Sequence, residues 1–230
     1  MRLARFVPML LPILLACKDA GGPLVTPTMQ VIAGAEQVAT VARELPNVVE
    51  VQVTSKAGDP LPAYPINWSA LDGGSVFAAY VMTGSDGMAR QQWTLGAAAG
   101  MQRLVARLLD PETGAVLLDD TIWAQANPDL ASHIDLRNGD LGYPGDSALV
   151  AVLVLDQFEN RRAPCADGGA WQRWTWWSGD SSVALPTGQA FIAADSQVYA
   201  WVRGVATGST SIGATLSCIP ATDSLAVGVR

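Results

Sequence analysis

From Met29 onward, apolar and polar residues alternate in short runs broken by Gly, Pro, Asp and Asn, and almost no segment sustains the period near 3.6 of an amphipathic helix. In NVVEVQVTS, Val49, Val51 and Val53 fall on one face while Glu50, Gln52 and Thr54 fall on the other, as a half-buried antiparallel strand requires. INWSAL, SVFAAYVM, ARQQWTLG, QRLVARLL and LLDDTIWAQA repeat the pattern. It pauses at Asn127, Pro128 and Asp129 and resumes with SHIDLRNGD, ALVAVLVLD, QRWTWWSG, SVALP, AFIAA, VYAWVRG, STSIGATLS and SLAVGV. Residues 148–155 are apolar on both faces but too few to span a bilayer, which predicts a central strand covered on both sides. The pattern therefore predicts an all-β chain of two antiparallel sandwiches in tandem, residues 29–126 and 131–230, joined by a linker at 127–130.

The first segment has a different character. MRLARFVPMLLPILLAC carries Arg2 and Arg5, then an apolar stretch over residues 6–15, then Ala16 and Cys17. About ten apolar residues are half of what a membrane-spanning helix needs, and Pro8 and Pro12 weaken a permanent span further. Residues 1–16 read as an export signal. Leu14-Leu15-Ala16-Cys17 resembles the lipobox of bacterial lipoproteins, which implies that Cys17 is acylated and becomes the new N-terminus, with a plain secretory signal as the alternative. Several acyl chains hold a protein on a membrane where one does so only marginally. Residues 17–28, with Gly21, Gly22, Pro23 and Pro27, read as a flexible tether. Lys18 after Cys17, where Asp does not stand, favours sorting to an outer membrane by analogy with enterobacterial lipoproteins.

Composition narrows the function classes. Half of the 230 residues are apolar and 15% are charged, the balance of a folded globular chain. Lys and Arg total 14 against 21 acids and do not cluster, so the formal net charge of −7 argues against nucleic acid as a partner. Loss of residues 1–16 removes two arginines and no acid, which moves the charge to −9.

Within the two halves the residues carry a family resemblance. Asp59-Pro60, Ile66 to Trp68, Asp86-Gly87, Trp93-Thr94-Leu95-Gly96 and Ala99-Gly100 resemble the group 1 bacterial Ig-like domain of the invasin and intimin type. Asp156, Asn160, Trp177-Ser178-Gly179-Asp180, Val183-Ala184, Gly204, Gly208 and Ile212 are similar to the group 2 bacterial Ig-like domain. The second half departs from its family through extra tryptophans, an inserted PCADGGAWQR loop and Glu159 where Gly is usual. Gly87 and Gly100 suit the positive φ of tight turns, and Asp86 can bond its own backbone there. The resemblance implies tandem Ig-like sandwiches serving adhesion or acting as spacers.

WQRWTWWSGD holds Trp171, Trp174, Trp176 and Trp177 within seven positions. If Trp177 is the core residue of its strand, period-two geometry turns Thr175 inward with it and sends Trp174 and Trp176 to the opposite face. Those two would then lie roughly 7 Å apart, a spacing that suits stacking on sugar rings or on a partner's apolar surface. The alternative packs them beneath the inserted loop or against the other domain. Trp171 precedes the strand and has no assignment.

The remaining chemistry is sparse. With Cys17 acylated, Cys165 and Cys218 are an even pair in an exported chain, placed by the strand plan at one end of the second sandwich, where they can bridge or stand as two thiols. Neither has a Cys or His at ligand spacing, so no metal or other cofactor is expected. His133, the single histidine, reads as a surface or interdomain residue, and no Gly-x-Ser-x-Gly elbow surrounds any serine. Asp119-Asp120 and the set Asp135, Asn138 and Asp140 read as solvated turns, since their spacing does not follow a calcium loop. Asn67-Trp68-Ser69 matches a glycosylation triplet but falls within an expected strand of a bacterial chain. The expectation is a non-enzymatic, lipid-anchored envelope protein with no catalytic residue, which binds a protein or glycan. The alternative is a structural subunit or spacer of an envelope complex.

Overall fold

The computed structural model describes residues 26–137, 140–163, 174–192, 198–219 and 221–230. The signal at 1–16, Cys17, most of the tether, Asn138, Cys165 and Trp171 lie outside these residues. Among the described residues every regular element is a strand: β1 (Pro27–Ala33), β2 (Gln37–Thr40), β3 (Val49–Ser55), β4 (Pro65–Ala70), β5 (Ser75–Val76), β6 (Tyr80–Met82), β7 (Met88–Gln91), β8 (Trp93–Thr94) and β9 (Gly100–Leu109). They continue with β10 (Val116–Asn127), β11 (Ala131–Arg137), β12 (Ser147–Asp156), β13 (Trp174–Ser178), β14 (Ala184–Ile192), β15 (Val198–Gly204), β16 (Gly208–Leu216) and β17 (Ala221–Val229). The chain is all-β, as its alternation predicts.

Sheets β1-β3-β7 and β2-β10-β9-β4-β6 enclose a first core, with β5-β8 as a short accessory pair. Val49, Val51 and Val53 of β3 face Ile66 and Trp68 of β4, Leu104, Ala106 and Leu108 of β9, and Trp93, all essentially without exposure. Sheets β11-β12-β15-β14 and β13-β16-β17 enclose a second core around Val150, Val152, Val154, Val198, Val202, Ile212 and Leu216. Residues 150–156 of β12 are buried on both faces, the central strand that an unbroken apolar run predicts.

Two local departures have identifiable causes. The pair β2–β10 is parallel, whereas antiparallel sheets are expected throughout. The chain pairs first as β1 with β3, then crosses to the opposite sheet through Gly34 at φ +82° and Glu36 at φ +57°. A strand that switches sheets keeps its direction, so β2 runs beside β10 in the same sense while β1 runs against β3. SVFAAYVM is not one strand but β5 and β6, with Phe77 between them 91% exposed. The buried Gln91 accounts for the break: its Oε1 accepts the amides of Phe77 and Ala78, and its Nε2 donates to the Ala78 carbonyl. The side chain shares the Phe77 amide with the Gln92 carbonyl and takes the backbone groups of Ala78 that a neighbouring strand would otherwise pair.

The glycine expectations in the first half hold. Gly87 sits at φ +71° in a turn closed by its amide on the Gly84 carbonyl, and Asp86 Oδ1 accepts the Met88 amide at 3.0 Å. Gly100 sits at φ +123°.

The junction between the two cores is built, not loose. After β12 the chain turns through residues 157–160, and Phe158 packs against the first core. Asn160 reaches the loop before β9: its Nδ2 donates to the Ala97 carbonyl at 2.8 Å and its Oδ1 accepts the Ala99 amide at 2.7 Å. That loop is itself held by the buried Gln102, which accepts the Gly96 amide and donates to the Gly96 and Ala98 carbonyls. On the near side, Asp156 is wholly buried and accepts the amides of Asp129, Phe158 and Asn160 together with Asn160 Nδ2. Gln157 Nε2 donates to Asp129 Oδ2 at 2.7 Å, and Arg162 donates to the Asp129 carbonyl.

Candidate binding surface

The tryptophan strand shows which of its faces is available. Across an antiparallel pair, residues directly opposite share a face. Trp174 stands opposite Leu216, Trp176 opposite Ala214, and Trp177 opposite Gly213. Ile212, Ala214 and Leu216 are the buried, core-facing residues of β16, so Trp174 and Trp176 turn inward with them and pack on the second core. Trp177 and Thr175 face outward, Trp177 with 38% of its surface exposed.

This corrects the expected orientation, which had Trp177 in the core and Trp174 and Trp176 as the exposed candidates. The partner strand decides it. On the outer side of β16 beside β13 stand Ser211 and Thr215, with Gly213 between them, and a slip of one residue in β13 would set both large indoles against that polar side. Each indole buries about 150–250 Å², so two inward tryptophans take more apolar area from water than one tryptophan and a threonine. Trp174 and Trp176 lie with ring centroids 6.4 Å apart and planes inclined by 35°. Their Nε1 atoms are buried with no hydrogen-bond partner among the described residues, and so are those of Trp68 and Trp93.

Outward, Trp177 has an unusual seat. An ideal Cβ placed on Gly213 would stand 2.1 Å from Cε2 and Cζ2 of Trp177, so the indole lies across the glycine in the space a side chain would fill. Gly213 is buried although its face is the outer one. The other outward positions of this sheet are Thr175, Ser209, Ser211, Thr215, Thr222, Ser224, Ala226 and Gly228. The Thr215 and Thr222 hydroxyls lie 3.1 Å apart. β13 and β16 contain no charged residue, and the single one in β17, Asp223, points inward, where its Oδ2 accepts the Leu136 amide at 2.8 Å. Asp180 stands just beyond the end of β13, and bonds from the Ser182 hydroxyl and amide hold its carboxyl below the usual range.

The other candidates from sequence are dispersed. His133 Nδ1 lies 2.8 Å from Ser132 Oγ and its Nε2 lies 3.2 Å from Glu159 Oε1, at the exposed margin of the junction. Asp135 pairs with Arg137 at 2.6 Å, Asp119 and Asp120 are exposed on β10, and Asn67, Trp68 and Ser69 lie within β4. Cys218 lies in the turn at residues 217–219, two positions beyond the partner of Trp174. Among the described residues no group of three or more His, Cys, Asp or Glu stands together as a metal site. What sequence reasoning missed is the junction: Asp156, Asn160 and Ala99 are visible as motif residues, but nothing in their spacing says that they meet.

No family model matches the sequence, and no curated protein does. Among solved structures, the chain is similar to the Escherichia coli adhesin FdeC at 13% identity and a TM-score of 0.42, over 89% of this chain and 64% of that one. It is similar to the Yersinia pseudotuberculosis adhesin InvE at 12% identity and a TM-score of 0.44, over 91% of this chain and 62% of that one. The D00-D0 domain of intimin aligns at 12% identity and a TM-score of 0.40, over 88% of this chain and 96% of that one. The chain thus spans less than two thirds of the solved FdeC and InvE chains.

Proposed function

We propose that this protein is a lipid-anchored, non-enzymatic module of a bacterial cell envelope whose two Ig-like sandwiches, over residues 29–126 and 131–230, display a surface for adhesion to a protein or glycan. The observation that carries this proposal is the junction, where Phe158 enters the first core's packing and Asn160 pairs with Ala97 and Ala99. A chain that must present two sandwiches in one arrangement gains from such fixation, because a joint already ordered does not have to be ordered on binding. The anchor is acylated Cys17, in keeping with the lipobox-like Ala16-Cys17, and the tether follows it.

A bond between Cys165 and Cys218 completes the second sandwich in this proposal. Cys218 lies close in the chain to Leu216, whose partner Trp174 is where the chain enters β13 after the inserted loop. Closing a loop of some fifty residues stabilises a fold by roughly 4 kcal/mol on the chain-entropy model.

The test is to shave intact cells with protease, identify the released peptides and the acylated N-terminus by mass spectrometry, and compare attachment of wild-type and deletion strains to host cells and immobilised glycans. Release without lysis and loss of attachment on deletion are expected. Protection until the envelope is broken, with attachment unchanged, overturns the adhesion function and leaves an internal spacer.

A further inference from the structure

We infer that the outer face of β13-β16-β17 is a platform for a neutral glycan, with Trp177 as the stacking residue; this rests on the binding function proposed above. Trp177 is pinned over Gly213, so one side of the ring meets the sheet and the other is presented to solvent. Around it stand the hydroxyls of Thr175, Ser211, Thr215, Thr222 and Ser224, on strands whose single charge turns inward.

The chemistry of this face selects its occupant. A nucleic acid or a charged peptide finds no counter-charge on it, in a chain whose formal net charge is −7. A protein interface needs a cluster of buried aromatic or Arg anchors, and this face offers a single indole amid small residues. A pyranose asks for what is present: one apolar ring for its C–H side and several short hydroxyls for its rim. Ser, Thr and Gly cannot fold over the ring, so a flat sugar can approach, and the seat on Gly213 removes rotamer freedom that binding would otherwise have to remove.

The experiment uses the full chain purified in detergent, labelled with 5-fluorotryptophan, with the Trp177 resonance assigned from Trp177→Phe. Chitohexaose, cellohexaose and laminarihexaose are titrated separately and followed by fluorine NMR and calorimetry. The expected result is saturable binding of at least one oligosaccharide that shifts the Trp177 resonance, falls at least tenfold in Trp177→Ala, and is unchanged in Trp123→Ala and Trp201→Ala, which alter other sheets. Should Trp177→Ala fail to fold, Trp177→Leu still covers Gly213 without offering a ring and is expected to lose the same tenfold. Binding by none of the three sugars, or binding that survives both substitutions in folded protein, overturns the inference. Cell attachment measured on the same variants separates the two proposals. Attachment that persists in the Trp177 variants overturns the glycan platform alone, whereas a deletion strain that attaches normally overturns the adhesion function itself.

Discussion

Asn160 Oδ1 accepts the backbone amide of Ala99 at 2.7 Å, a bond that spans 61 positions of sequence and joins the second sandwich to the first. The same side chain donates to Ala97 and to the buried Asp156, so it serves both sides of the junction at once. Asn160→Ala removes all of these bonds; water can replace the exposed ones to Ala97 and Ala99, whereas the partly buried one to Asp156 costs about 1–3 kcal/mol. We expect a loss of about 1–3 kcal/mol in denaturant unfolding. Separate rotational correlation times for the two halves by NMR relaxation are expected as well, and a single shared value in the variant would show that Phe158 alone holds the joint.

Glu159 has φ +66°, a conformation that costs a non-glycine residue about 1–2 kcal/mol. Glycine adopts that conformation freely, which is why a glycine suits position 159. Glu159→Gly relieves the strain and gives up only an exposed contact with His133, worth about 0–1 kcal/mol. The substitution is expected to stabilise the second half by up to about 1 kcal/mol, read as a rise of a few degrees in its thermal midpoint.

Asp156 carries the acid sensitivity of the junction. Burial raises its carboxyl pKa, but the bonds from the Asn160 side chain and from the backbone amides of Asn160, Asp129 and Phe158 outweigh burial and hold it below the ordinary aspartate value. A carboxylate with a depressed folded-state pKa adds stability above its unfolded value of about 3.9, and that stability disappears as pH falls through the folded value. Unfolding titrations from pH 6 to pH 2 should therefore lose stability below about pH 4. Asp156→Asn should flatten that slope while being less stable near neutrality.

The two faces of β13 give opposite expectations for substitutions one residue apart. Trp176→Ala opens a cavity in the second core and should cost about 3–5 kcal/mol. Trp177→Ala should cost much less, since that ring is part-exposed. Equal losses in chemical denaturation would contradict the inward placement of Trp176.

Gly213→Ala puts a methyl where Trp177 now lies, 2.1 Å from two ring carbons. The ring must leave its seat, at about 1–3 kcal/mol by analogy with overpacked sites. A red shift of tryptophan emission should report the displaced indole.

Much of this architecture is legible in the residues. Val49, Val51 and Val53 alternate because one face of β3 is core, and the unbroken apolar run before Asp156 announces a strand covered on both sides. The orientation of the tryptophans is harder to read, because in β13 both faces carry an indole and period two fits either register. Only the partner resolves it, through Ile212, Ala214 and Leu216 alternating with small polar positions in β16. That cross-strand comparison was open to sequence reasoning, whereas the WSGD motif pointed to the other register. The break after Val76 is tertiary in origin, since Gln91 looks like any polar strand residue until it is seen buried and bonded to Phe77 and Ala78. The junction lies beyond local pattern altogether: no periodicity tells that Asn160 meets Ala99.

The order of strands also sets an order of events during synthesis. β2 pairs with β10, so the first sandwich cannot close until residue 127 has been made, and β17 supplies Val227 and Val229, so the second waits for residues 221–229. Between those moments the nascent second half has a finished neighbour beside it, against which Phe158 can dock. The first sandwich is thus available as a docking surface before the second is complete. Slow emergence of the chain would favour correct assembly over intermolecular pairing of the edges of β13 and β16 that are open before β17 arrives.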